Sequence, residues 1–158
     1  MAGALGYIVR QARASDAAAL LQLMRELAVF EHYIDHFRVT AEDLLARGLD
    51  GGGNRQFATL VAEVEGASLA GYAVLLEVPF TYDLRPTLIL KELYIRDSAR
   101  GLGIGKALMQ AVMLHATAHN AGRLKWDVLP GNQPAKAFYQ SLGGKRGEGW
   151  ENWILAFD

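Results

Sequence analysis

Between a β-prone run and a helix-prone one stands Arg100-Gly101-Leu102-Gly103-Ile104-Gly105-Lys106. Glycines in such a turn let backbone approach a guest closely, and the start of the following helix offers free N–H groups and a positive dipole end to an anion. A phosphate or pyrophosphate suits this spacing. Counting excludes two better-known phosphate loops. A dinucleotide fingerprint begun at Gly101 needs a third glycine where Lys106 stands, and one begun at Gly103 needs it at Leu108. A Walker loop ending on Gly105-Lys106 needs glycine at Arg100 and Ser or Thr at Ala107. His115 and His119 stand four apart on one predicted helix face, but no third ligand accompanies them, so they are assigned to surface and packing and no metal is expected. The chain has no cysteine, which removes a disulfide framework, a thiolate metal site and a Cys nucleophile together.

Periodicity supplies the elements that position the loop. Tyr7–Arg10 reads as a strand, and Ser15-Asp16 as the cap of a helix over 16–30 with Leu20, Leu23, Met24, Leu27 and Phe30 at helical spacing. Thr40-Ala41-Glu42-Asp43 resembles a capping box with Asp in place of Glu, opening a short helix that Gly48 stops. Asp50-Gly51-Gly52-Gly53-Asn54 breaks all periodicity and is expected to be a mobile loop. Phe57–Val64 and Leu69–Val78 read as a hairpin through Glu65-Gly66-Ala67-Ser68, with Thr87–Ile95 completing an antiparallel meander. After Gly105 the chain is helical through Ala107, Leu108, Ala111, Val112 and His115, ends at Asn120-Ala121-Gly122, and continues into a strand over Leu124–Leu129. Strand, helix, strand in that order predicts a right-handed parallel crossover. Asn132 caps a last helix carrying Ala135, Phe138, Tyr139 and Leu142, closed by Gly143-Gly144, and Trp150–Phe157 reads as a terminal strand. The pattern is one α/β domain over residues 1–158: a central mixed, mostly antiparallel twisted sheet flanked by about four helices.

At 158 residues the chain has the length of one domain with a real core. Sixteen Lys and Arg against seventeen Asp and Glu leave a net charge of −1, without the basic footprint that nucleic acid demands. No stretch approaches the about 18 continuous apolar residues of a membrane span, and Met1–Tyr7 lacks a charged start followed by an apolar run. A cytoplasmic protein with no nucleic-acid or membrane partner is expected.

Arg100, Gly103 and Gly105 match the Arg-x-x-Gly-x-Gly signature of the GNAT superfamily of acetyl-CoA-dependent N-acetyltransferases, which the chain resembles over residues 8–157. Asn132-Gln133-Pro134-Ala135-Lys136-Ala137-Phe138-Tyr139, followed by Leu142-Gly143-Gly144, looks like the family's second cofactor motif. Arg25-Glu26-Leu27-Ala28-Val29-Phe30-Glu31 and Pro79-Phe80-Thr81-Tyr82-Asp83 resemble the diamine (spermidine/spermine) acetyltransferase branch. The resemblance implies strands that splay at the acetyl-CoA site. It also implies backbone contacts from Leu93, Tyr94 and Ile95 to the pantetheine arm, and a pyrophosphate cradle over Arg100, Gly101, Leu102, Gly103, Ile104, Gly105 and Lys106. Asn132 and Ala135 match positions that contact the cofactor arm, and Tyr139 matches the branch's general acid. Taken alone, Phe138-Tyr139 is what the apolar face of a helix carries; Asn132 at the family's offset favours the functional reading. The resemblance further suggests a homodimer, with the last strands shared across the interface.

The chemistry fits these residue types. Amine transfer expels a thiolate, and a phenol of pKa about 10 lies about 2 kcal/mol from a thiol near 8.5, so Tyr139 is a competent proton donor. A primary ammonium of pKa about 10.4 must first lose a proton, which costs about 4.6 kcal/mol at pH 7 and calls for a carboxylate or a water chain. With no cysteine to carry the acetyl group, direct attack of the bound amine in a ternary complex is expected. Phe30, Glu31 and Asp83 match acceptor positions of the branch, and Trp126 and Asp127 lie on the strand opposite the cofactor strand. Aligned on the glycine loop, the branch's acidic pair becomes Lys91-Glu92, so its glutamate falls on Lys91. Either a bulge lets Glu92 serve as the catalytic carboxylate, or Lys91 pairs with an acceptor carboxylate and favours an amino acid over a diamine. The expected acceptor is a polyamine or a basic amino acid such as thialysine. The alternatives are a protein, a peptide or an aminoglycoside as acceptor, or a non-catalytic acyl-CoA sensor.

Overall fold

The computed structural model describes residues 6–49, 55–65 and 68–158. Two compact units divide the chain, one running to Trp126 and the other from Asp127. The first holds a five-stranded sheet in the order β1 (Tyr7–Gln11), β2 (Ala58–Val64), β3 (Ser68–Val78), β4 (Thr87–Ile95) and β5 (Arg123–Lys125). The first four strands pair antiparallel and β5 joins β4 in parallel, which is the expected meander followed by a crossover through α3 (Ile104–Ala118). Gly66 and Ala67 of the expected β2–β3 turn, and the expected loop Asp50–Asn54, lie outside the described residues.

Both faces of this sheet are covered, so its central strands are apolar on both sides. One face carries Val61, Tyr72, Val74 and Tyr94, which pack with Leu20, Leu23, Met24 and Leu27 of α1 (Ala17–Phe30) and with Leu44 of α2 (Ala41–Leu44). The alternate positions of the same strands face α3, whose buried stripe is Ile104, Leu108, Met109 and Val112. The expected cap of α1 is replaced by a stronger arrangement. Asp16 reaches back to accept the Arg13 backbone N–H at 2.6 Å and takes Arg10 of β1 in a two-pronged pair at 2.7 and 2.9 Å. Arg10 also donates to Glu63 of β2 at 2.7 Å, so one guanidinium ties two strands to the start of α1.

The box at Thr40 forms as read. The Asp43 N–H donates to Thr40 Oγ1 at 3.1 Å, and the Thr40 N–H donates to Asp43 Oδ2 at 2.9 Å. Gly48 does not stop that helix. It lies inside a π-turn over Leu45–Leu49, where the Phe57 ring occupies the space a Cβ would need. The strand expected over Leu124–Leu129 ends at Lys125, because β5 pairs with β4 only through Ile89↔Lys125.

In the second unit, Asn132 caps α4 (Gln133–Ser141) by accepting the Ala135 N–H at 3.2 Å. Gly143 closes the helix at φ 90°, with the Gly144 N–H donating to the Tyr139 carbonyl at 2.9 Å. The terminal strand expected over Trp150–Phe157 does not form. Residues 150–157 have no ladder partner among the described residues, and β-propensity without a partner edge makes no strand. Trp150, Trp153, Ile154, Leu155 and Phe157 are exposed instead.

Candidate active site

Beyond Ile89 the strand β4 runs on for six residues, to Ile95, without a neighbour on its β5 side among the described residues of this unit. Leu93, Tyr94 and Ile95 therefore present an open edge of backbone donors and acceptors, the splay the sequence suggested. A short 3-10 turn over Asp97–Ala99 then leads into the glycine loop. Gly101 and Gly103 both sit at φ 81°, in the left-handed region where other residues are strained. Space is not the constraint, since a Cβ at Gly101 meets nothing within 4 Å. Gly103 is the N-cap of α3, and the first helical hydrogen bond is donated by Ala107 to its carbonyl at 3.0 Å, which leaves the preceding N–H groups of the helix start available to an anion. Open edge, left-handed glycine turn and free helix start together fit a long thioester cofactor with a pyrophosphate.

Arg100 anchors this loop. Its Nε donates to the Ile95 carbonyl at 3.0 Å and Nη1 to Asp97 at 3.2 Å, while the guanidinium stacks over the rings of Phe30 and Tyr94 at 5.5 and 5.8 Å. Arg96 pairs with Glu26 of α1 at 2.9 Å, and the Tyr94 hydroxyl donates to the same carboxylate at 3.3 Å. The open half of β4 is thus fastened to α1 by three side chains.

Register sets where Lys91 and Glu92 lie. Tyr72 pairs with Tyr94, Ala73 with Leu93 and Val74 with Glu92, but Leu75 pairs with Leu90. Lys91 is the extra residue of a β-bulge, and such a bulge turns two successive side chains to one side. Without it, Glu92 would share the α3 face with Leu88 and Leu90; with it, Lys91 and Glu92 both line a cavity of about 380 Å³ on the α1 side. Phe37, Arg38, Asp43 and Arg47 contribute its outer wall. Lys91 Nζ lies 3.9 Å from Glu92 Oε1, whose side chain is 14% exposed.

Burial pushes the Glu92 carboxyl above the ordinary range; Lys91 draws it back and Glu31 pushes it further. Glu31 is itself raised by burial and drawn down by Lys91. Tyr33 is pushed up to about 12 by burial and by the charges of Glu92 and Glu31. Glu31, Lys91 and Glu92 thus act on one another's charge, and Tyr33 and Tyr72 stand in the same field. Neither tyrosine carries a sequence signal: Tyr72 stands in an apolar strand and Tyr33 just past a helix end.

Asp83 is placed elsewhere. Its Oδ1 accepts from the Thr81 hydroxyl at 2.8 Å and the Arg85 N–H at 3.1 Å, and its Oδ2 from Arg123 of β5 at 2.7 Å. Those donors hold the carboxyl down at about 2, and the group fastens the loop over residues 79–86 to β5. Trp126 closes the first unit, while Asp127, Asn132, Ala135 and Tyr139 belong to the second. Within that unit the Phe138 and Tyr139 rings tilt against each other at 5.5 Å. His115 and His119 stack at 4.0 Å, and His119 Nδ1 lies 2.8 Å from the His115 carbonyl oxygen. Burial and the neighbouring ring hold His115 below its ordinary value. Among the described residues no helix is long and apolar enough to cross a membrane.

Comparison with known proteins accords with this geometry. Residues 18–144 match the Acetyltransferase (GNAT) family. The chain is 30% identical to the thialysine N-epsilon-acetyltransferase of Mus musculus, over 90% of this chain and 88% of that protein. It is 32% identical to a spermidine/spermine N(1)-acetyltransferase-like protein 1 of Homo sapiens, over 94% of this chain but 22% of that longer protein. Among solved structures, an aminoglycoside acetyltransferase from an uncultured soil metagenomic sample, in complex with sisomicin, shares the fold at a TM-score of 0.80 and 17% identity, covering 96% of this chain and 97% of its own. The glycine turn at the head of α3, the open edge of β4 and the match over residues 18–144 make this chain a member of the GNAT acetyltransferase family, an acyl-transferring enzyme whose relatives draw their acetyl group from acetyl-CoA.

Proposed function

We infer that the protein moves the acetyl group of acetyl-CoA to a primary amine of a small cationic molecule, a polyamine or a basic amino acid such as thialysine. The observation that carries this reading is the bulge at Lys91, which sets a buried carboxylate, Glu92, immediately before the open backbone edge of Leu93–Ile95. Acetyl-CoA, when bound, supplies a thioester carbonyl. The chain's own part is to hold the pantetheine arm on Leu93, Tyr94 and Ile95 and the pyrophosphate over Gly101–Lys106, with Asn132 and Ala135 assigned to the cofactor by family match. Glu92 takes the proton of the acceptor ammonium, and the amine attacks directly in a ternary complex. Tyr139 gives a proton to the departing thiolate, and the second proton that leaves nitrogen as the amide forms restores the phenol.

Phe30, Glu31, Trp126 and Asp127 are the further acceptor contacts in this reading, carried by family match, while Asp83, with both oxygens occupied, orders its own loop. A carboxylate-bearing acceptor is favoured over a plain diamine, because Lys91, Arg38 and Arg47 line the same cavity as Glu92. A homodimer in the cytoplasm remains part of the proposal, supported by the exposed apolar residues of 150–157.

The test is thiol release from acetyl-CoA by purified protein over a panel of putrescine, spermidine, spermine, lysine, thialysine, an aminoglycoside and a short peptide. Turnover confined to the amino acids supports the role given to Lys91. Turnover with the diamines alone removes that role, and silence across the panel with acetyl-CoA still bound points to a sensor.

A further inference from the structure

The Tyr72 hydroxyl is fully buried and is one of two buried side-chain polar atoms among the described residues without a hydrogen-bond partner, the other being Thr59 Oγ1. Phenylalanine would fill the same apolar space without stranding a polar group, so the hydroxyl calls for an explanation. Its position supplies one. Tyr72 stands opposite Tyr94 on the α1 face of the β3–β4 pair, and strand alternation sets Glu92, opposite Val74, on that same face two residues away. Diagonal neighbours of this kind lie within reach of long side chains. The cavity at Glu92 is bounded on the β3 side by Val74, the next residue of the same face.

From this placement we propose that Tyr72 is a positioning residue for Glu92: its hydroxyl donates to a water that also hydrogen-bonds the Glu92 carboxylate, holding the carboxylate ionised and aimed into the cavity. The Tyr72 hydroxyl and the Glu92 carboxylate are two polar partners, within the number a buried water takes. Groups facing Glu92 come from each surrounding element: Lys91 on β4, Tyr72 on β3, Glu31 and Tyr33 after α1, and Arg38, Asp43 and Arg47 on the outer wall. Two of these effects, burial and the Glu31 charge, favour the neutral acid, whereas a phenol donor favours the charged form. In the acetyl-transfer reading, on which the catalytic consequence rests, the ammonium proton passes to the Glu92 carboxylate, giving free amine and a neutral acid. Tyr72 is not consumed.

The experiment is the titration of Glu92 by carboxyl carbon NMR, assigned through E92Q, in wild type and Y72F, together with the melting temperature and the pH profile of kcat/KM. The proposal expects the Glu92 midpoint to rise by about one unit in Y72F, and kcat/KM below that midpoint to fall about tenfold, with acetyl-CoA affinity unchanged. An unmoved midpoint with a higher melting temperature overturns it, since that is how an idle buried hydroxyl behaves when removed. If Y72F does not fold, a high-resolution structure of the wild type decides: a water bonded to both Tyr72 Oη and Glu92 supports the proposal, and none overturns it. The NMR titration stands whether or not any amine is turned over, so failure of the acetyl-transfer reading and failure of this inference remain distinguishable.

Discussion

Glu92 is a carboxylate whose burial opposes the charge its proposed role requires. Replacing it with glutamine should lower kcat by about 10²- to 10⁴-fold while leaving acetyl-CoA affinity unchanged, as calorimetry would show. The same variant should melt higher at pH 7. Because the folded pKa is raised, native protein binds this proton more readily than unfolded chain, so stability is lost as pH rises from the ordinary glutamate value through the raised one. The gain from E92Q should therefore fade as the pH approaches about 4, below which both states are protonated. Tyr139→Phe should lower kcat by about 10²-fold with acetyl-CoA affinity nearly intact, and unchanged turnover would remove the general-acid assignment. Sequence named Glu92 and Lys91 as candidates but left the choice open, since a bulge depends on how two strands pair and residue order alone does not fix it. Tyr72 was illegible for a related reason: in a sheet covered on both faces, no polar alternation marks which side an aromatic takes.

Elements were most legible where local chemistry decides them. The Thr40 box and the Asn132 cap formed as read because each is closed by a side chain that accepts the backbone N–H three residues on. Asp16 stands at the N-cap of α1 as read, but its carboxylate turns back to Arg10 of β1, six residues earlier, which a three-residue capping pattern does not reach. That link should matter to the fold. Asp16→Asn should destabilise by about 2 kcal/mol, since it takes from Arg10, 14% exposed, the two-pronged carboxylate and leaves it Glu63 alone as a charged partner. Arg10 holds the Asp16 carboxyl below its ordinary range, so this contribution is present above the ordinary aspartate value. It is lost as pH falls through the depressed one, and denaturant midpoints at pH 7 and pH 2 should show the difference between D16N and wild type closing. At the head of α3, Gly103→Ala forces an L side chain into φ 81°, at a cost of about 1–2 kcal/mol. It should weaken acetyl-CoA binding more than it lowers the melting temperature, and normal affinity would count against the pyrophosphate cradle.

On the scale of the molecule, the antiparallel meander and the parallel crossover were readable because connection length and strand order leave few topologies. The segment 150–157 was not, because a strand is a property of a pair of edges. If its exposed tryptophans and aliphatics cover a second copy, as the homodimer proposal holds, truncation after Gly149 should convert a dimer to a monomer in light scattering, with loss of solubility relieved. A monomeric full-length chain would refute it. The bulge at Lys91 also bears on how such chains are compared. A column in an alignment records order along the chain, whereas a reacting group is chosen by where it points. A single extra residue in one strand uncouples the two: Lys91 adds one place to the order of β4 without taking a partner on β3. Deleting the Lys91 codon would return the strand to even phase with Glu92 still opposite Val74 on the α1 face and Leu90 still opposite Leu75, so the lysine's charge would be lost while the carboxylate and the glycine turn stay in place.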